Sequence, residues 1–374
     1  MTTLNRTRRR ILKAGGATAL ITAFGGTMLG TAQTAGAQSV KTLRWGIVGT
    51  GGIANSMAGM IRMADASEIG AVSSRRIKTA QEFANDHDVP NAFDSWQEMI
   101  DSDVVDAIYV ATPTSVREEI CIAAANGGKH VLGEKPFASL PSVKRITAAC
   151  RDNDVAFMDG THFVHHPRTL DIKQHREDRL GFVWSIASAF QFNLEDRGNI
   201  RYNPGLEPMG AIGDAGWYNM RAAVEYLPAD VALDTASAHL RRDSETGAAI
   251  SGTGVLEFDD GSTSTWNCGF DSGAVVMDLR ITGTEGVINI DDFLGQNRDG
   301  SADFLYRKGG WGDTASDEIN VPSAKPGAAL MFEDMAAAAA DRSFREQWMT
   351  ATERTQALLD VAWAAALQSE KDDP

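Results

Sequence analysis

Cysteine is scarce in this sequence. Three occur in 374 residues, at Cys121, Cys150 and Cys268, with no Cys-x-x-Cys pair and no Cys/His cluster. That scarcity argues against both a disulfide framework and a structural zinc site, and no metal is expected. Positive charge is also short, with 35 Lys and Arg against 50 Asp and Glu and a net charge of −15. Such a balance disfavours nucleic acid or an anionic membrane surface as a partner. No unbroken apolar run approaches bilayer length: the weakly apolar stretch from Ala14 to Gly30 is interrupted by Gly15, Gly16, Gly25 and Gly26. No internal repeat is present. What remains is an ordinary globular composition, 43% hydrophobic and 23% charged, in a chain long enough for two domains.

The N-terminus is set aside first. Arg8-Arg9-Arg10-Ile11-Leu12-Lys13 precedes the apolar stretch, and Ala35-Gly36-Ala37 follows it. The pattern resembles a bacterial twin-arginine signal, which exports proteins already folded. Residues 1–37 are therefore expected to be removed and the mature protein to be periplasmic, without a membrane anchor. Cleavage would remove Arg6, Arg8, Arg9, Arg10 and Lys13 and no acid, leaving a still more acidic chain. The cysteines, odd in number, are expected to be small buried side chains. Gln38 to Thr42 reads as a lead-in or an arm.

From Leu43 short apolar runs alternate with helical stretches. Strands are expected at 43–48, 68–73, 104–111, 130–133 and 155–159, with helices at 52–64, 78–86, 116–126 and 142–153. This alternation predicts an α/β fold with a doubly wound parallel sheet, a Rossmann domain over 38–160. After about Thr161 the texture changes. Strand-like runs at 182–192, 255–258, 264–268, 277–283 and 286–290, with Asp260-Gly261 as a hairpin turn, predict an α+β domain over 161–374. Its sheet is expected to be mostly antiparallel and open. Helices are expected at 213–227 and, with interruptions, at 328–368.

Gly49-x-Gly51-x-x-Ala54 follows the first strand and opens a helix. Glycines there allow a tight turn and close backbone approach, and the helix N-terminus offers free N–H groups to a pyrophosphate. An ordinary glycine-rich turn is the alternative. A second absence then selects the cofactor. NAD sites usually carry Asp or Glu at the end of the second strand, but this chain has Ser73-Ser74-Arg75-Arg76. A hydroxyl and two guanidiniums suit a 2′-phosphate, so NADP is expected over NAD, unless the arginines merely start a solvated helix.

Three motifs now combine: the glycine loop, Ala111-Thr112-Pro113 and Gly133-Glu134-Lys135-Pro136. With Asp214-Ala215-Gly216-Trp217-Tyr218 they resemble the glucose–fructose oxidoreductase / inositol dehydrogenase (Gfo/Idh/MocA) family over nearly all of the mature chain. Tyr218, where many relatives carry His, resembles the branch of glucose–fructose and aldose–aldose oxidoreductases. The resemblance implies cofactor contacts at Gly49, Gly51, Gly52, Ile53, Ser74, Arg75, Arg76, Thr112, Pro113, Glu134 and Lys135. It implies catalysis by Lys135, Asp214 and Tyr218. Residues four apart on a helix share a face, so Asp214 and Tyr218 can point into one cleft. A phenol titrates at about 10 and needs a cation to favour its phenolate, which Lys135 would supply. Tyr218 is assigned as acid/base, Lys135 as electrostatic partner and Asp214 as orienter. The plainer readings are a helix N-cap, a core aromatic and a surface lysine.

Arg117 stands where relatives often carry His, and His162 follows the last Rossmann strand; both are substrate candidates. Trp217 and Trp311 are candidates for stacking on a sugar face, the plainer reading being core or interface tryptophans. His165-His166 lack further ligands for a metal. Loops 193–209 and 295–312 are expected to wall the cleft. An exported chain with an NADP-type site would carry its cofactor inside it. The resemblance therefore implies a hydride shuttle that oxidises one aldose to its lactone and reduces a second sugar to an alditol. Alternatives are a sugar or polyol dehydrogenase or anhydrofructose-type reductase with exchangeable NADP, and a non-enzymatic sugar or nucleotide sensor. A homo-oligomer, dimer or tetramer, is expected through the open sheet.

Overall fold

Strands buried on both faces build the first sheet. Trp45-Gly46-Ile47-Val48 and Ala107-Ile108-Tyr109-Val110 carry no polar face because helices cover both sides. The computed structural model describes residues 41–297 and 299–372. The expected export signal over 1–37 lies outside the described residues, as does most of the lead-in, of which only Lys41 and Thr42 are described. Strands β1 (Leu43–Val48), β2 (Ser67–Ser73), β3 (Ala92–Phe93), β4 (Ala107–Val110), β5 (His130–Gly133) and β6 (Phe157–Asp159) pair in parallel in the order β3-β2-β1-β4-β5-β6. Helices α1 (Gly52–Met63), α2 (Ile77–Asp86), α3 (Trp96–Asp101), α4 (Thr114–Asn126) and α5 (Leu140–Asp152) connect them. The chain reverses direction across the sheet between β1 and β4. That switch point opens a crevice at the carboxyl ends of the strands. β3 and α3 are additions to the expected set. Two residues of strand leave no periodicity to read, and α3 is announced only by Ser95, whose hydroxyl accepts from the Glu98 N–H at 3.2 Å.

The second sheet follows α6 (Pro167–Gln174) and α7 (Arg176–Leu180). Its long central strand is β7 (Val183–Asn193), against which α9 (Gly216–Tyr226) packs directly after α8 (Gly210–Asp214). Then come β8 (Leu233–Arg242), β9 (Ala249–Phe258), β10 (Thr263–Gly269), β11 (Asp271–Val276), β12 (Leu279–Gly283), β13 (Val287–Ile290), β14 (Ala302–Lys308) and β15 (Ala315–Val321). The order is β15-β14-β13-β12-β7-β10-β9-β8, with β11 also on β7. Among the named strands of the described residues, β7 and β10 run parallel and the other pairings in this sheet are antiparallel. The Asp260-Gly261 turn joins β9 to β10, with Gly261 at φ 84° as the hairpin requires. β8, β11, β14 and β15 are further strands, and β14 runs through the expected loop 295–312. The expected helix 213–227 divides at Ala215 into α8 and α9, whose backbone there keeps helical angles (φ −81°, ψ −38°).

The dividing line after residue 160 separates the sheets but not the packing. Helices α10 (Gly327–Ala340), which contains the alanine run, and α11 (Arg345–Asp372) return to the first sheet. Phe332 of α10 meets Trp45 edge-on at 5.0 Å and Tyr109 at 5.8 Å. Gln356 and Asp360 of α11 accept the N–H groups of Phe137 and Leu140 at 3.1 and 2.6 Å.

A buried charge cluster ties β6 to α9. Arg221 donates to Asp159 at 2.6 Å and to Glu225 at 2.8 Å, Thr352 donates to Asp159 at 2.6 Å, and Lys173 reaches Glu225. Removing one partner would strand a buried charge at a cost of about 3–5 kcal/mol. All three cysteines are buried thiols, and burial raises each well above its ordinary range.

Candidate active site

The glycine loop leaves β1 by a turn that no side chain fits. Gly49 has φ 106°, and a Cβ there would lie 2.7 Å from the Ala111 carbonyl oxygen. Its N–H donates to the Ser73 carbonyl at 2.9 Å, so the loop is seated between the ends of β2 and β4. Gly51 caps α1 without a side-chain bond, and no acid occupies the first turn. A Cβ on Gly51 or Gly52 would meet nothing within 4 Å. The free N–H groups of α1 therefore face open space, as an anion site requires. Ser74 lies beside the loop, its hydroxyl 3.5 Å from that of Thr50. Arg75 and Arg76 are exposed and form no ion pair among the described residues. At the far side of the crevice Thr112 Oγ1 is buried without a partner, and Pro113 caps α4. An unfilled cradle, an orphaned hydroxyl and two unpaired guanidiniums fit a phosphorylated dinucleotide.

The crevice continues into a cleft of about 550 Å³ lined by both halves of the chain. Gly51, Gly52, Ile53, Thr112, Glu134 and Lys135 come from the first sheet's side; Phe190, Arg201, Asp214 and Tyr218 come from the second. A wider hollow of about 620 Å³ lies on the open face of the second sheet; His239, Asp278 and Asp291 line it, but none of the glycine-loop residues does.

β5 ends in Glu134-Lys135-Pro136, with the Lys135–Pro136 bond cis. Lys135 Nζ donates to Asp214 Oδ1 at 2.6 Å and to the Asp214 carbonyl at 3.0 Å. An ammonium has three donors, so one remains. Nζ also lies 4.8 Å from the centroid of the Tyr218 ring. The split between α8 and α9 still places Asp214 and Tyr218 on one side, because the helical path continues through Ala215. His162 packs its ring 5.9 Å from that of Tyr218, and Phe190 of β7 stands edge-on at 5.5 Å.

Electrostatics differ from the expectation at Tyr218. Its phenol is pushed well above its ordinary value, first by burial and then by the charges of Glu134 and Asp214. Burial and these acids outweigh the nearby cations, so the phenol is held protonated rather than ionised. Asp214 is held ionised well below the carboxylate range, because Lys135 and Arg201 outweigh its burial. Glu134 is buried and raised, accepting the Tyr109 hydroxyl at 2.6 Å.

His162 and His130 are both brought down from 6.5 to about 4 by burial. Between those values the unfolded chain binds protons that the folded protein refuses, so stability falls as pH drops through the window. Protonation would also break the bond that His130 Nδ1 accepts from the Ala156 N–H at 3.0 Å. The melting temperature should be clearly lower at pH 4.5 than at pH 7, reflecting a loss on the order of a few kcal/mol from the two imidazoles together.

Other candidates are placed differently. Arg117 borders the cleft, but its guanidinium donates to the Thr112 and Pro136 carbonyls and to Thr114 Oγ1 at 3.1 Å. Those bonds brace the loops after β4 and β5 and leave only Nε unpartnered. Trp217 is fully buried and donates to Thr161 Oγ1 at 2.6 Å, so it cannot stack on a sugar. Trp311 is fully exposed between β14 and β15, away from the cleft. His165 bonds Asp334 at 2.6 Å and stacks on Trp348, while His166 accepts the Arg168 N–H at 3.0 Å and faces the Gly300 carbonyl. No group of three metal-ligating side chains occurs among the described residues. Sequence reasoning missed Arg201, which grips Asp214, and Glu207, which accepts from Thr114 N at 3.0 Å. Both lie in the loop 193–209, expected to wall the cleft but without periodicity to single out a residue.

Comparison with known proteins agrees with this architecture. Residues 43–161 match the model of an oxidoreductase family with an NAD-binding Rossmann fold, and residues 173–289 match the GFO/IDH/MocA C-terminal domain. The chain is 29% identical over 270 residues to a D-xylose 1-dehydrogenase (NADP+) of Haloferax volcanii, spanning 72% of this chain and 82% of the relative. Its fold is similar to that of a 3-ketoreductase from Actinomadura kijaniata crystallised with NADP and TDP-benzene, at TM-score 0.79 and 23% identity over 87% of this chain and 98% of the other. An aldose–aldose oxidoreductase from Caulobacter crescentus, complexed with glycerol, superposes at TM-score 0.77 and 20% identity over 88% and 98% of the two chains. The chain belongs to the GFO/IDH/MocA oxidoreductase family, with its NAD-binding Rossmann fold and its C-terminal domain.

Proposed function

We propose that this chain is an NADP-dependent sugar oxidoreductase that acts on a carbinol or carbonyl carbon. The observation that carries the reading is the meeting of Lys135, Asp214 and Tyr218 in one cleft with the anion-ready end of α1. The glycine loop at Gly49–Gly52, with Ser74, Arg75, Arg76 and Thr112, would hold NADP, which would supply the hydride chemistry. The protein supplies the rest. The third N–H of Lys135 is available to the substrate oxygen, Asp214 keeps the ammonium in place, and Tyr218 donates a proton to a carbonyl oxygen or takes one from a hydroxyl. A phenol held protonated is set for the donating direction. NADP is favoured by the unpaired Arg75 and Arg76 beside Ser74, and the xylose dehydrogenase relative is itself named for NADP. Changing both arginines to Ala should weaken NADP binding on the order of 100-fold and leave NAD binding nearly unchanged, measured by fluorescence titration of the two reduced forms.

The finer reading is a periplasmic enzyme, exported folded, in which bound NADP is reduced by one aldose and reoxidised by a second sugar. The twin-arginine pattern and the likeness to an aldose–aldose oxidoreductase support it. The open face of the second sheet is its proposed self-association surface. Mature protein purified without added cofactor should carry NADP whose absorbance changes with one sugar and reverts with another. Protein that emerges empty and needs exogenous NADP is instead an ordinary sugar or polyol dehydrogenase.

A further inference from the structure

Asp214 is a buried carboxylate, 8% exposed, and it meets two cations. Lys135 takes Oδ1 from one side. Arg201 takes Oδ2 through Nε at 2.7 Å and shares Oδ1 through Nη2 at 3.1 Å, a fork that fixes both oxygens. Lys135 and Asp214 alone would make a neutral pair whose carboxylate could turn about the ammonium and occupy its remaining donor. With Arg201 present the cluster carries one net positive charge, and Asp214 has no freedom to turn.

The seat of Arg201 is itself built. It lies in a single helical turn, Ile200–Tyr202, whose first N–H groups are met by Asn199, with Oδ1 accepting from Arg201 N at 3.1 Å. Tyr202 donates to the Leu194 carbonyl at 2.8 Å. Further along the same segment, Glu207 accepts both the N–H and the hydroxyl of Thr114, at 3.0 and 2.6 Å. The segment is thus held between α4 and α8.

We propose that Arg201 is a positioning residue: it locks the Asp214 carboxylate so that Lys135 keeps one donor and an unbalanced positive charge for the substrate oxygen. The inference rests on the sugar-oxidoreductase reading above. The groups facing Tyr218 are Lys135 and Glu134 from the end of β5, Asp159 from β6, His162, Asp214 from α8, and Arg201. Arg201 is one of the few cations among them, so its loss makes the phenol harder to ionise.

The test compares Arg201→Met and Arg201→Lys with the wild type in sugar oxidation across pH. Arg201→Met should lower kcat on the order of 100-fold through misplacement of Lys135, and should shift the midpoint of the pH–rate profile upward. Arg201→Lys should bring the midpoint back, because it restores charge. It should recover only part of kcat, because one ammonium cannot replace the fork. Wild-type kcat in Arg201→Met, or a lowered kcat at an unmoved midpoint, overturns the proposal. If Arg201→Met does not fold, Arg201→Lys decides: lower kcat at the wild-type midpoint supports it, and unchanged kcat overturns it. If the wild type turns over no sugar, the functional reading fails separately. A crystal structure of either variant then decides: Asp214 turned and Lys135 displaced supports the proposal, and an unmoved pair overturns it.

Discussion

Tyr218→Phe should lower turnover by about 10²–10⁴-fold while leaving the protein folded and its cofactor bound. The ring would stay packed against His162, Phe163 and Phe190, so only a hydroxyl is lost from the cleft. That hydroxyl belongs to a phenol that burial keeps protonated near neutral pH, and Lys135 Nζ lies 4.8 Å from the centroid of its ring. Lys135 is the other proton donor of the cluster, and its ammonium already spends two N–H groups on Asp214. His162 is neutral above about 4, Asp214 is ionised, and Arg201 does not release protons at usable pH. Steady-state kcat in both directions, with NADP affinity from fluorescence titration, checks the result. Wild-type turnover in Tyr218→Phe would remove the tyrosine from the chemistry.

Lys135→Met should be as severe, on the order of 10³-fold in kcat, because in the proposed reaction it deletes the donor and charge offered to the substrate oxygen. Methionine retains the length of the stem. Asp214 would still be held by Arg201, so a folded protein is expected. In the proposed reaction Lys135 and Tyr218 meet the same substrate oxygen, so their effects should not add. The double variant should be little worse than the poorer single one, whereas fully multiplied losses would mean two independent devices. Thermal unfolding of all three proteins separates chemistry from stability.

What could be read beforehand was local. The turn at Gly49, the open helix end at Gly51 and the Asp214–Tyr218 spacing each depend on a few neighbouring residues. Strands such as β1 and β4 stand out because both faces are buried. β8, with Leu233-Asp234-Thr235-Ala236-Ser237-Ala238, is small and polar, and its place is set by pairing with β9 rather than by its own pattern. Arg201 was invisible for a related reason: its partner lies across a loop, and no period links the two. Trp217 was misread because a tryptophan's exposure depends on what packs over it, here Phe137 and Thr161. At Tyr218 the residue was legible but its environment was not. The offsetting charge of Asp214 on Lys135 is a fact of three dimensions.

The return of α10 and α11 to the first sheet has a consequence for biogenesis. The nucleotide-binding half lacks part of its own core until Phe332, Gln356 and Asp360 have been synthesised, because Trp45, Tyr109 and the start of α5 are covered by those late residues. A ribosome that has released only the first 160 residues presents an unfinished Rossmann sheet with an apolar flank bare. A product truncated before α10 and α11 is left without a completed nucleotide-binding half.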